Sequence, residues 1–161
     1  MVIVVMGAAG AGKSTVGVAL ARAFGIRFVE GDEYHSAAAI TKMRAGVPLT
    51  DADRQPWLAA LHTIIAAAVG RREHLIVACS ALHERYRQQL RGDLRGVRFV
   101  YLKASEATLR HRLAARRGHF AGPALVTSQL AALEEPADAV IVDATRPVAE
   151  IVAAVGREFG L

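Results

Sequence analysis

Residues 7–14 read Gly7-Ala8-Ala9-Gly10-Ala11-Gly12-Lys13-Ser14, which fits the pattern G-x-x-x-x-G-K-[ST]. The apolar run Val2 to Val5 leads into it. A helical pattern from Lys13 to Phe24 leads out, with Val16, Leu20 and Phe24 on one face and Gly25 as its stop. Few backbones satisfy a strand, a glycine-rich curl and a helix in that order. The glycines let successive N–H groups turn toward one point, and the helix N-terminus adds a partial positive charge. Such a nest holds phosphate oxygens. Lys13 then reaches the β- and γ-phosphates of a nucleoside triphosphate, the Ser14 hydroxyl is placed to ligate Mg²⁺, and Thr15 continues the same first turn.

The rest of the chain alternates short apolar runs with longer helical patterns. Strands are expected at Arg27 to Glu30, Leu75 to Cys79, Val97 to Leu102 and Ala139 to Val142. Helices are expected at about Tyr34 to Ala45, from Asp53 through Ala68, at His83 to Leu90, from an N-cap at Ser105 to about Arg117, at about Leu125 to Leu133, and at Val148 to Phe159. Strands that read as unbroken apolar runs are covered on both faces, and the intervening helices supply the cover. This predicts a doubly wound α/β domain with a five-stranded parallel sheet. Its ligands bind beyond the carboxyl ends of the strands.

Composition sets the bounds. The 161 residues suit one domain, 1–161, and a 53% hydrophobic content excludes general disorder. The one cysteine, Cys79, forms no internal disulfide and reads as a small core residue; no Cys/His cluster has zinc spacing. No stretch approaches the ~20 apolar residues of a spanning helix, and the apolar start reads as a strand rather than an export signal. No membrane association and a cytoplasmic location are therefore expected. The formal net charge is +5, and of 20 basic residues three are Lys (Lys13, Lys42, Lys103) and 17 are Arg. That balance suits phosphate-bearing ligands or nucleic acid. Aromatic residues are only 6% of the chain and no recognition element stands out, which argues against nucleic acid.

Candidate residues fall at the expected strand ends. Asp32, after Glu30-Gly31, is placed to orient an acceptor hydroxyl, take its proton or hold Mg²⁺. His35 and Lys42 follow at nearly two helical turns' separation. Arg54 is either an anion ligand or half of a local Asp–Arg pair, and Trp57 reads as a core anchor. Ser80 and Arg87 follow the third strand. Arg110, Arg112, Arg116 and Arg117 precede Gly118-His119-Phe120 and suit a lid, at about 117–134, that closes over phosphates. Arg146-Pro147, after the fifth strand, is placed to border a nucleobase.

Several stretches together resemble the gluconate kinases. They are Gly31-Asp32-x-x-His35, Ile40-Thr41-Lys42-Met43, Gly46-Val47-Pro48-Leu49 with Asp51-Ala52-Asp53-Arg54-Gln55-Pro56-Trp57-Leu58, and Ala78-Cys79-Ser80-Ala81-Leu82 with Tyr86-Arg87. Arg112-Leu113 through Gly118-His119-Phe120, Ser128-Gln129, Leu133-Glu134 and Pro136 extend the likeness over nearly the whole chain. The resemblance implies sheet order 2-3-1-4-5, ATP-dependent phosphorylation of D-gluconate at its C6 hydroxyl with Mg²⁺, and a homodimer. It implies that Asp32, Lys13 and Arg116 are catalytic and that Ser14 and Asp32 serve the metal. It places His35, Lys42, Arg54, Arg87, His119 and Gln129 around the acceptor and lid. Arg112 and Arg116 would face phosphates, and Arg146 and Pro147 would flank adenine.

The chain departs from the family pattern His-Pro-x-x-Asn-Ile, reading His35-Ser36-Ala37-Ala38-Ala39-Ile40, and carries an unusual Ala121-Gly122-Pro123-Ala124 in the lid. Three alternatives remain at this point: a kinase for another hydroxy acid such as shikimate, a nucleotide-dependent nucleic-acid binder, and a nucleotide sensor without chemistry.

Overall fold

A computed structural model describes residues 1–115 and 123–161. Its sheet runs β2-β3-β1-β4-β5, and every pairing is parallel. The strands are β1 (Val2–Met6), β2 (Arg27–Glu30), β3 (Leu75–Ala78), β4 (Val97–Lys103) and β5 (Val140–Asp143). The helices are α1 (Lys13–Phe24), α2 (Ala37–Arg44), α3 (Asp51–Gly70), α4 (Glu84–Arg91), α5 (Glu106–Ala114), α6 (Pro123–Ala132) and α7 (Val148–Phe159). The doubly wound fold and its strand order are as expected.

Strand β1 is central, and all five of its residues are buried. Its side chains alternate faces, as the two-residue period requires. Val2, Val4 and Met6 join Trp57, Leu58, Leu61 and Ile65 of α3 and Tyr86 and Leu90 of α4. Ile3 and Val5 join Val16 and Leu20 of α1, Leu109 and Leu113 of α5, and Ile151 and Val155 of α7. Two cores, one on each face, explain why the run shows no polar alternation.

Two helix starts differ from expectation, each through a side-chain cap. The expected helix from Tyr34 is two elements: a 3-10 turn at Gly31–Tyr34, then α2 from Ala37. Ser36 divides them, because its hydroxyl accepts the Ala39 N–H at 3.1 Å. Helix α3 opens at Asp51 rather than Asp53. Thr50 Oγ1 accepts the Asp53 N–H at 3.2 Å, and Asp53 Oδ2 accepts the Thr50 N–H at 2.8 Å, a reciprocal capping box. Pro56 consequently lies in the second turn rather than the first.

Among the described residues, no helix is long and apolar enough to cross a membrane.

Candidate active site

The phosphate loop joins β1 to α1 over the carboxyl end of the sheet. Gly10 takes φ +84°, and a Cβ there would lie 2.9 Å from the Leu109 carbonyl oxygen, so both conformation and space require glycine. Gly12 caps α1 in a left-handed conformation, with no side-chain cap bond among the described residues and no acidic residue in the helix's first turn. Those amides and the helix dipole are therefore arranged for an anion. Ser14 and Thr15 are exposed at this end. Lys13 is folded back, its Nζ donating to the Ala8 carbonyl at 3.2 Å.

Beside the loop, the β1 and β3 ends are tied together: the Gly7 N–H donates to Ser80 O at 3.3 Å. Cys79 is fully buried, and burial pushes its thiol up to about 12, as suits a core residue rather than a nucleophile.

The end of β2 carries the acceptor side. Gly31 is packed so closely that a Cβ would lie 2.3 Å from Ala78 O. Its own carbonyl accepts the Trp57 indole N–H at 2.8 Å. These two constraints fix the turn that presents Asp32, which is exposed. His35 stacks on Trp57 with ring centroids 4.2 Å apart and 18° between planes. Trp57 is thus a core anchor, 2% exposed, that also forms the floor under His35. His35 Nδ1 is buried without a hydrogen-bond partner among the described residues. Burial holds the imidazole below its ordinary value of 6.5; the Asp32 charge opposes this and Arg54 reinforces it. Asp32, His35 and Arg54 therefore share one electrostatic neighbourhood.

The lowered His35 value has a consequence for stability. The unfolded chain binds a proton at a higher pH than the folded one, so stability falls as pH drops from 6.5 through the lowered folded-state value. His35→Phe, which keeps a ring on Trp57, should flatten this acid limb. Melting temperature against pH for both proteins checks it; parallel curves below pH 6.5 would rule the imidazole out as the cause.

The other sequence candidates divide. Arg54 stays at the acceptor side. Its Nη1 donates to Leu49 O and its guanidinium lies 5.7 Å from the Tyr86 ring centre, with no short pair to Asp51 or Asp53. Lys42 ties α2 to α3: its Nζ lies 2.8 Å from both Asp53 oxygens, and Lys42 and then Thr50 hold that carboxyl down at about 2. Arg87 does not lie open to the crevice. It is 2% exposed, and its guanidinium is engaged by Ala81 O at 2.8 Å, Leu82 O at 3.1 Å and the Glu84 carboxylate at 2.7 Å. Gln129, on α6, reaches the phosphate loop and accepts the Ala9 N–H at 2.6 Å.

On the other side of the loop is a cleft of about 400 Å³, bordered by Gly10, Gly12, Thr15, Arg112, Arg146 and Val148. Arg112 Nη2 donates to Ala144 O at 2.7 Å and its Nη1 lies 3.4 Å from Gly10 O and Ala11 O, which bridges the loop to the end of β5. Arg146 pairs with Glu150 at 2.9 Å on the rim, next to Pro147, the N-cap of α7. His111 also lines this cleft, a residue the sequence pattern did not single out. Arg116, and Arg117 and His119 of the first part of the expected lid, lie outside the described residues.

Comparison with known proteins gives a consistent picture. A family model described as an AAA domain matches residues 2–138. A gluconokinase of Gluconobacter oxydans is 47% identical over 136 residues, covering 84% of this chain and 76% of that protein. A probable gluconokinase of Rattus norvegicus is 42% identical over 153 residues, covering 84% and 83%. The crystal structure of a gluconokinase from Sinorhizobium meliloti superposes with a TM-score of 0.84 at 43% identity, covering 98% of this chain and 94% of that one. With its phosphate loop, its sheet order and this degree of identity over most of its length, the chain belongs to the gluconokinase family of P-loop kinases.

Proposed function

We propose that this protein transfers the γ-phosphate of ATP to the C6 hydroxyl of D-gluconate, giving 6-phospho-D-gluconate and ADP. The observation that supports this most directly is the placement of Asp32 and His35 after β2, with Arg54 of α3 in the same electrostatic neighbourhood, at the same carboxyl end of the sheet as the phosphate loop after β1. Adenine would enter the cleft bordered by Arg146 and Val148, with its phosphates running over the loop toward β2. Gluconate would lie against His35 and Arg54, its carboxylate on the Arg54 guanidinium and a hydroxyl on His35 Nδ1. That nitrogen is buried and has no hydrogen-bond partner among the described residues; a polyol hydroxyl that reached it by a small shift of the surrounding side chains would supply one. Asp32 would align the terminal hydroxyl with the γ-phosphorus and take its proton as the O–P bond forms. Lys13, Arg112 and Arg116 would stabilise the phosphoryl charge, a catalysis of positioning and electrostatics.

The residues present also suit Mg²⁺. Among the described residues no group of three or more His, Cys, Asp and Glu could hold a metal by itself. An exposed hydroxyl, Ser14, and an exposed carboxylate, Asp32, fit an ion that arrives with the nucleotide and keeps water and phosphate oxygens as its other ligands. When bound, it would neutralise charge on the β- and γ-oxygens.

A coupled assay of ADP release with ATP, Mg²⁺ and a panel of acids tests this reading. D-gluconate should be turned over with kcat in the range of about 1–100 s⁻¹. Background rates with gluconate beside clear turnover of shikimate or another hydroxy acid would keep the kinase and remove the substrate. Background rates with every acceptor would favour a sensor.

A further inference from the structure

We infer that Gln129 is a positioning residue that couples helix α6 to the terminal phosphate: its side-chain carbonyl holds the Ala9 amide until a triphosphate takes that amide over. This rests on the triphosphate-kinase reading above and not on gluconate being the acceptor.

Gln129 and Ala9 are 120 residues apart, and their bond at 2.6 Å is a polar side-chain contact from α6 to the phosphate loop, beside the apolar packing of Val126 in the core that holds Ala8 and Ala11. Two neighbouring loop amides are satisfied from within the sheet edge and the loop itself: Gly7 N–H by Ser80 O and Ala11 N–H by Ala8 O. The Ala9 amide is instead satisfied by a side chain from a different layer.

The peptide unit involved is informative. Ala8 C=O and Ala9 N–H are the two ends of one planar group. Lys13 Nζ donates to that carbonyl at 3.2 Å, and Gln129 Oε1 accepts from that N–H at 2.6 Å. In this motif the lysine turns to the β- and γ-phosphates when nucleotide binds. With the lysine on those phosphates, the γ-phosphate is the group that would bring an anionic oxygen to the peptide the lysine leaves. A single N–H serves one acceptor well, and a charged phosphate oxygen makes a stronger bond than a neutral amide carbonyl. Two acceptor oxygens cannot share the position without repulsion. The γ-phosphate therefore displaces Gln129, whereas a diphosphate, which lacks that group, leaves the pair intact.

Helix α6 has a second attachment that this exchange does not touch. Thr127 donates to Glu106 at 2.7 Å and accepts from Arg110, both on α5. Loss of the Gln129 contact removes the polar tie on the inner side of α6, while Val126 keeps the helix packed in the core that holds Ala8 and Ala11, and its α5 side stays fixed. The Gln129 side chain on this anchored helix then responds to triphosphate and not to diphosphate.

Calorimetric titration with Mg·ADP and with a non-hydrolysable Mg·ATP analogue, together with hydrogen exchange at Ala9, tests this in the full-length protein. Gln129→Ala removes the competing acceptor and should tighten the analogue by about three- to tenfold relative to ADP. Gln129→Glu keeps the acceptor and adds a like charge; it should weaken the analogue by about tenfold or more and leave ADP nearly unchanged. The Ala9 amide should be protected in the free and ADP-bound wild type and exposed in free Gln129→Ala. Equal shifts of ADP and analogue in both variants, or Ala9 protection indifferent to Gln129→Ala, would overturn the inference while leaving the kinase reading intact. A wild-type protein that binds no triphosphate would overturn both.

Discussion

Replacing Asp32 by Asn should lower kcat with gluconate by about 10²- to 10⁴-fold, the span general-base catalysis typically supplies. The affinity for an ATP analogue should stay within about a factor of three, because the loop amides and α1 hold the phosphates independently of this side chain. The expected loss is chemical rather than structural. Asparagine has the same shape and can still accept a hydrogen bond from the attacking hydroxyl, but it cannot take the proton. The turn carrying it is held elsewhere, by Gly31 against Ala78 and by the Trp57 indole on the Gly31 carbonyl. The melting temperature should accordingly be unchanged, since Asp32 is exposed. Steady-state kinetics with calorimetry separate the cases. Turnover within about threefold of wild type would remove Asp32 from the proton path and shift the acceptor geometry to another group.

How much of this was legible in the sequence depends on how local each cause is. The phosphate loop and its flanking elements were readable because glycine, lysine and serine at fixed spacing specify a backbone shape directly. Helix α1 ends where expected because Gly25 takes the left-handed cap at φ +65°, and α7 ends at Gly160 in the same way. The even/odd division of β1 between two cores was implied by its uninterrupted apolar run. The misplaced starts of α2 and α3 were also local. Ser36 and the Thr50-x-x-Asp53 box both stand in the sequence, and the caps they form, rather than the position of Pro56 in a first turn, set where the helices begin.

The site's internal pairings were not legible, for a physical reason. Lys42 with Asp53, Gln129 with Ala9, and Arg112 with Ala144 join residues 11, 120 and 32 positions apart. No periodicity encodes such a partner; the packing of α2 beside α3, and of α6 and α5 against the phosphate loop, decides it. His35 was readable as a site residue, yet its stack on Trp57 and its Nδ1, without a partner among the described residues, depend on how the 3-10 turn meets α3. Arg87 is the sharpest case. A guanidinium one turn into a helix looks the same in sequence whether it reaches outward to a substrate acid or inward to a loop.

That difference sets the second large effect expected. Ala81 adopts φ +45°, a left-handed conformation that costs a non-glycine residue roughly 1–2 kcal/mol. It follows Ser80, whose carbonyl receives the Gly7 N–H of the phosphate loop. Arg87 donates to both Ala81 O and Leu82 O from beneath, so it holds the strained loop and, through Ser80, steadies the nucleotide cradle. Arg87→Met keeps the apolar stem but takes the donor from the Ala81 carbonyl and the second donor from Leu82 O, which keeps the Glu134 N–H at 2.9 Å. Glu84, half-exposed, turns to water and limits the damage. A loss of about 2–4 kcal/mol follows, less than for a fully enclosed ion pair. For a domain of this size that lowers the melting temperature by about 5–12 °C. Activity measured well below the transition should show kcat and the KM values for ATP and gluconate moving together, because a loosened Ser80 disturbs both sides of the crevice. If Arg87→Met melts with wild type and loses gluconate affinity alone, the guanidinium turns outward to the acid and the brace is wrong.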